Sequence, residues 1–192
     1  MRRRSFLHKM IACAAALLAA PANAMAGLRF GITNRYLRPP GSLPEEEFVR
    51  RCIRCGQCGE ACPNRCIKFF STDGGLRSYN TPYITPREQG CILCMKCGEV
   101  CPTGAIREII HDAQSILDNV KMGKAVVDTS LCLSYQGKTC GVCYRACPLQ
   151  DVAIKVGMLE QPHVLDACVG CGLCERSCIQ IPQAIRIIPN YV

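Results

Sequence analysis

Apolar residues along this chain come in short bursts, and the period changes from one burst to the next. The first is the longest: residues 11–20 are uninterrupted apolar sequence, preceded by Arg2, Arg3 and Arg4 and followed by Ala22-Asn23-Ala24. A basic start, an apolar middle and a small-residue cleavage site predict a signal peptide over 1–24, too short for a membrane span. Residues 25–44 hold Pro39, Pro40, Gly41 and Pro44. Proline and glycine oppose regular structure, so this segment reads as an extended lead-in, either a contact-free tether or a docking segment. Glu45-Glu46-Glu47 after Pro44 then opens a short amphipathic helix, acidic where the helix dipole favours anions. Beyond it the pattern predicts short strands at 67–70, 83–85, 105–110, 124–128, 152–156, 163–165 and 185–188, with a turn at Asp73-Gly74-Gly75. Residues 112–120 carry apolar positions at helical spacing. No stretch after the leader approaches 18 apolar residues, so no later segment reads as a membrane span.

Cysteines lie between these bursts, and their spacing is regular. Cys91, Cys94, Cys97 and Cys101 are followed by Pro102. This is the run C-x2-C-x2-C-x3-C-P of bacterial ferredoxins, whose fourth cysteine in two-cluster proteins ligates the other cluster. Cys52, Cys55, Cys58 and Cys62, with Pro63, repeat it without a flaw. Cys132, Cys140, Cys143 and Cys147, with Pro148, repeat it with a five-residue insertion in the first gap, which can loop out near Gly137 and leave Cys132 in place. Cys168, Cys171, Cys174 and Cys178 keep the register, with Ile179 where the proline would stand. Cys66 is a fifth cysteine beside the first run and reads as a buried bystander thiol, because that run is complete without it.

The unit is thus a short strand, a cysteine loop, a short helix and another strand. Its first cysteines, Cys52, Cys91, Cys132 and Cys168, recur at intervals of 36 to 41 residues. Repetition at such a period means a repeated structural unit. The expected fold class is α+β: two tandem bacterial ferredoxin-like domains, each with two 4Fe-4S clusters. They occupy residues 45–118 (first and second runs) and 119–192 (third and fourth). Sequential pairing of the runs suits the short loop between 156 and 163. Nested pairing, first with fourth and second with third, suits the way 124–128 leads out of the second run into the third.

Composition agrees with a fold held by something other than aromatic burial. Aromatic residues make up 6% of 192 residues, with no Trp, against 18 cysteines. A core so poor in large side chains needs disulfides or metal. Disulfide frameworks scatter their cysteines to clamp distant loops, whereas here the close spacing recurs four times. Zinc needs only paired C-x2-C knuckles. The runs therefore point to four 4Fe-4S clusters, with the sixteen motif cysteines as cofactor-binding iron ligands. Loss of Arg2, Arg3, Arg4 and Lys9 with the leader takes the formal charge from +8 to +4. Each oxidised cubane with its thiolates carries about −2, so much of the positive charge balances clusters and argues against a nucleic-acid partner. Arg50, Arg51 and Arg54 crowd the first run, where positive charge raises a cluster potential. Nothing resembles a substrate site: there is no nucleotide-binding glycine pattern, no C-x-x-C-H and no nucleophile with a base, and His111 and His163 stand alone. The expected chemistry is electron transfer, with no catalytic residues of its own.

Arg3-Arg4-Ser5-Phe6-Leu7 resembles the twin-arginine pattern R-R-x-F-L of the Tat pathway, with Arg2 where Ser or Thr is usual. An ordinary Sec signal is the alternative. Tat carries folded, loaded proteins, which suits clusters built in a reducing cytoplasm and exported to the periplasm.

Taken together, the leader, the 37–41 segment, Cys52-Ile53-Arg54-Cys55-Gly56-Gln57-Cys58 and the stretched third run ending Cys140-Gly141-Val142-Cys143-Tyr144-Arg145-Ala146-Cys147-Pro148 resemble the NapG/MauM family of exported ferredoxin-type proteins. The resemblance implies an electron-transfer subunit of a periplasmic quinol dehydrogenase. Such a subunit sits through its partner at the outer face of the inner membrane, takes electrons from a quinol-oxidising NapH/MauN-type protein and passes them to a c-type cytochrome or periplasmic reductase. The compact Cys94-Met95-Lys96-Cys97 departs from the nitrate branch and leaves the pathway open between nitrate reduction, methylamine utilisation and another respiratory route. Two other classes share the cluster count: the four-cluster subunit of a molybdenum oxidoreductase, and a non-respiratory storage or structural protein.

Overall fold

Helix α1 (Glu45–Arg51) begins where Pro44 closes the lead-in, with three glutamates in its first turn and Arg50 and Arg51 in its last, matching charge to the dipole at both ends. Its inward face buries Phe48 completely. A computed structural model describes residues 36–72, 75 and 77–190; the signal peptide and residues 25–35 lie outside the described residues. The described part of the lead-in is packed, so the tether reading fails for it. Leu37 is buried and forms an antiparallel bridge with Ile84. Arg38 forks onto Glu45 and stacks its guanidinium 4.6 Å from the Phe48 ring centre.

Three small antiparallel sheets follow. Strands β1 (Ile67–Phe69) and β2 (Pro82–Ile84) pair Ile67 with Ile84. Strands β3 (Gly123–Val127) and β6 (Ile185–Pro189) pair over five residues, from Gly123 opposite Pro189 to Val127 opposite Ile185. Between them in the chain, β4 (Ile154–Val156) pairs with β5 (Pro162–Val164). Alternation sets the faces: Ala125, Ile185 and Ile187 point inward while Val126 and Ile188 remain exposed. The N-terminal half has the same nesting. The β1–β2 hairpin lies between Ser42 and Ile106, which form an isolated antiparallel bridge.

That bridge is all that forms of the strand expected at 105–110. Leu43 donates to the Ala105 carbonyl and Arg107 donates to that of Gly41. Pro39, Pro40 and Pro44 bracket the partner segment, and prolines lack the N–H groups a longer ladder requires. The other strands lie within two residues of expectation. Helix α4 (Ala113–Asn119) is capped by Asp112, whose carboxylate accepts from the Ser115 N–H at 3.0 Å.

The described residues pack as one compact unit. Arg87 joins the halves by donating to the carbonyls of Glu175, Arg176 and Cys178 at 3.0, 3.3 and 2.8 Å. These are the orphan carbonyls at the end of helix α6 (Leu173–Ser177). The core mixes aliphatic side chains with cysteines, and Phe48 is its only large aromatic among the described residues.

Candidate cluster sites

Each cysteine loop leads into one turn or so of helix: α2 (Gln57–Glu60), α3 (Lys96–Glu99), α5 (Val142–Arg145) and α6. The residue on either side of the middle cysteine has left-handed backbone. Arg54 and Gly56 flank Cys55, Leu93 and Met95 flank Cys94, and Gly170 and Gly172 flank Cys171. Two reversals in three residues turn successive thiols toward one side. Glycine adopts this conformation freely, but Arg54, Leu93 and Met95 each cost about 1–2 kcal/mol there. In the stretched run the second reversal survives at Gly141, while the insertion replaces the first. A turn around Tyr135–Lys138, including Lys138 N–H to the Leu133 carbonyl, folds the extra residues back.

The structure gathers the sixteen predicted cysteines into four cages. The first is lined by Cys52, Cys55, Cys58 and Cys101. The second is lined by Cys62, Cys91, Cys94 and Cys97, with Cys66 beside them. The third is lined by Cys132, Cys140, Cys143 and Cys178, and the fourth by Cys147, Cys168, Cys171 and Cys174. Every cage thus takes three cysteines from one run and the last cysteine of its neighbour. The exchange is between first and second runs and between third and fourth, as in sequential pairing. Cys132 lies with its run across the insertion. All seventeen cysteines in the described residues are free of disulfides.

The remaining walls are apolar: Phe48, Phe69 and Ile106 in the first cage, for example, and Val164, Val169 and Ile187 in the fourth. Burial pushes the Cys58 and Cys143 thiols up to about 11 and those of Cys97 and Cys171 up to about 12, with neighbouring cysteines adding to the shift. Cys174 is raised well above the ordinary value for the same reasons. Thiols so placed become thiolates only against strong positive charge, which iron supplies. Cys101 goes the other way. Burial raises it, but the N–H groups of Ile106, Thr103 and Ala105 and the Thr103 hydroxyl outweigh that and hold it below the ordinary thiol value.

Backbone N–H groups also aim at sulfur. Leu93 donates to Cys91 at 3.4 Å, Ile106 to Cys101 at 3.4 Å and Ala184 to Cys178 at 3.3 Å. These four-thiol cages, apolar and supplied with N–H donors, fit a cubane cluster. Among the described residues, no three of His, Cys, Asp or Glu converge tightly enough to hold a single ion.

Compared with known proteins, residues 51–105 match the family model of the 4Fe-4S dicluster domain. The chain is 36% identical over 208 residues to the ferredoxin-type protein NapG of Escherichia coli, covering 97% of this chain and 85% of that protein. It is 38% identical to the methylamine utilization ferredoxin-type protein MauM of Methylobacillus flagellatus, covering 80% and 68%. The MauM of Paracoccus denitrificans is likewise 38% identical, covering 81% and 72%. This chain belongs to the NapG/MauM family of ferredoxin-type proteins. It is therefore an iron–sulfur protein of the electron-transfer type.

The cages of this NapG/MauM member form a series. Cys58 of the first lies within electrostatic reach of Cys97 of the second, and Cys174 of the fourth within reach of Cys143 of the third. Cys91 of the second cage donates its N–H to the Cys171 carbonyl of the fourth at 2.7 Å. The order in space is first, second, fourth, third. The arginines expected to crowd the first run are mostly engaged: Arg51 pairs with Glu47 at 2.6 Å, and Arg54 donates to the carbonyls of Tyr79 and Arg77. His163 sits edge-on to Tyr135 with ring centres 6.4 Å apart and lines none of the four cages. A separate cleft, lined by Arg38, Arg107, Asp118 and Lys121 among others, contains no cysteine. Sequence gave no sign of the left-handed Arg54, Leu93 and Met95, since only glycine signals such a conformation by composition.

Proposed function

We propose that this chain is a four-cluster relay, built as two ferredoxin-like halves over residues 45–118 and 119–192, with all sixteen motif cysteines as ligands. The observation that carries it is the exchange of the last cysteine between paired runs, which yields four cages in one series, each lined by three thiols of one run and the last of its neighbour. A cubane exchanges one electron with little change of geometry. The chain's contribution is to hold the thiols, exclude water with apolar walls and set each potential through N–H donors and nearby charge.

The outer cages are the points of entry and exit. Ile53, next to Cys52, is 62% exposed, and Ile179, next to Cys178, is 61% exposed. Each offers an apolar contact beside a ligand at one end of the series. On the family resemblance, the donor is a membrane quinol-oxidising protein of the NapH/MauN type and the acceptor a c-type cytochrome or periplasmic reductase. Tat export places the loaded protein in the periplasm, at the outer face of the inner membrane. Relatives named for methylamine utilization and the NapG proteins match at similar identity, 38% and 36%, so either kind of pathway suits the chain.

Iron and acid-labile sulfide per chain, measured on anaerobically purified mature protein with low-temperature EPR after reduction, test the relay. About sixteen irons with coupled spectra are expected; zinc or disulfides in their place would overturn it. Reduction by quinol in membranes carrying the partner, and its loss without the partner, tests the donor. Co-purification with a large molybdopterin subunit would favour the molybdenum oxidoreductase class, and indifference to quinol the storage class.

A further inference from the structure

The second cage differs from the others in holding five thiols. Cys66 is 2% exposed and lines the cage together with Cys62, Cys91, Cys94 and Cys97. Its sulfur lies 3.6 Å from that of Cys62. It therefore stands against one of the four thiols assigned to this cage. The free space there is smaller than in the first, third and fourth cages.

The repeat shows how it comes to be there. After Cys101 the chain runs Pro102-Thr103-Gly104-Ala105, with Gly104 left-handed at φ +64° and Ala105 buried in the wall of the first cage. After Cys62 it runs Pro63-Asn64-Arg65-Cys66, with Arg65 left-handed at φ +49°. The same turn brings residue 105 to one cage and residue 66 to the next. Where the wall has a methyl group in the first cage, it has a thiol in the second. Arg65 bears the backbone strain that Gly104 avoids.

We infer that Cys66 is a reserve ligand of the second cage, able to replace Cys62 at the iron corner that Cys62 holds. The inference rests on the cluster reading above. Both sulfurs approach the same side of the cage from one four-residue turn, so exchange requires a side-chain rotation and leaves Cys91, Cys94 and Cys97 in place. Among the described residues no other cage has such a thiol: its counterpart in the first is Ala105.

The test compares iron content and EPR spectra of anaerobically purified full-length variants. Wild type should hold about sixteen irons per chain; a wild type without iron defeats the cluster reading, a failure distinct from that of this inference. Cys62→Ala should keep the full iron content, with altered EPR from the changed ligand set. Cys94→Ala, a position outside the turn that Cys62 and Cys66 share, should lose about four irons, and so should the double variant Cys62→Ala/Cys66→Ala. Cys66→Ala alone should keep all of them. If Cys62→Ala loses iron as Cys94→Ala does, or fails to accumulate while wild type does, Cys66 is no ligand and the inference is wrong.

Discussion

The backbone N–H of Cys91 donates to the carbonyl of Cys171 at 2.7 Å, so a thiol-bearing residue of the second cage is hydrogen-bonded to one of the fourth. This bond lies where the two halves meet, and it puts the junction of the series on backbone. The approach depends on glycine. A Cβ on Gly90 would come within 2.8 Å of the Leu173 nitrogen and 2.9 Å of the Gly172 carbonyl carbon.

Gly90→Ala should therefore part the halves at the middle of the relay. Relieving an overpacked backbone contact costs about 1–3 kcal/mol. The expected result is a lower denaturation midpoint, retained iron and weakened magnetic coupling between the second and fourth clusters. Unchanged coupling and stability would show that the junction yields without cost.

The strands and the grouping of thiols into runs were legible in the sequence because each depends on local pattern. Strands β1 to β6 follow short apolar bursts, and α4 follows helical spacing after Asp112. The sixteen thiols of the cages are those the spacing singled out. Which run exchanges with which was not legible, since sequential and nested pairing use the same residues and differ only in long-range packing. The expected strand at 105–110 failed because its partner lies among prolines. The role of 36–44 was hidden for a related reason: a Pro/Gly-rich segment carries no periodicity, yet Leu37 and Arg38 find partners in β2 and α1.

Thr103 offers a way to alter one potential without disturbing packing. Its hydroxyl lies 3.9 Å from the Cys101 sulfur and helps to hold that thiol below its ordinary pKa. A donor to sulfur stabilises the more negative, reduced cluster. Thr103→Val keeps the shape and removes the donor, so the potential at the first cage should fall. A change of about 1 kcal/mol in a one-electron couple corresponds to roughly 40 mV. Anaerobic redox titration followed by EPR reads the shift; a rise in the first potential would contradict the assignment.

Glu175 is a buried carboxylate with a structural task. It accepts from the Ile187 N–H at 2.7 Å and from Gln183 Nε2 at 3.1 Å, tying α6 to β6. Glu175→Ala leaves the buried Ile187 N–H without a partner and should cost about 1–3 kcal/mol. Glu175→Gln keeps an acceptor and should cost less. Chemical denaturation of the iron-loaded protein checks the ranking, and equal losses would show that the charge matters more than the bond.

Arg38 fixes the lead-in to the rest of the fold, and its chemistry is that of guanidinium alone. Two nitrogens reach the Glu45 carboxylate at 2.8 and 2.5 Å, and a third donates to Thr81 Oγ1 at 3.0 Å and to the Pro82 carbonyl at 2.6 Å. The planar group stacks on Phe48, and only 15% of the side chain is exposed. A lysine carries the same charge but has neither the fork nor the flat face. Arg38→Lys should therefore lower stability by about 1–3 kcal/mol, much as loss of a buried charge-assisted bond does. By contrast, Lys124→Arg at the exposed pair with Asp166 should barely move the midpoint. Denaturation midpoints of the two variants, measured side by side on iron-loaded protein, decide the matter. If Arg38→Lys behaves like the exposed substitution, net charge suffices at residue 38 and the fork has no role in holding the segment down.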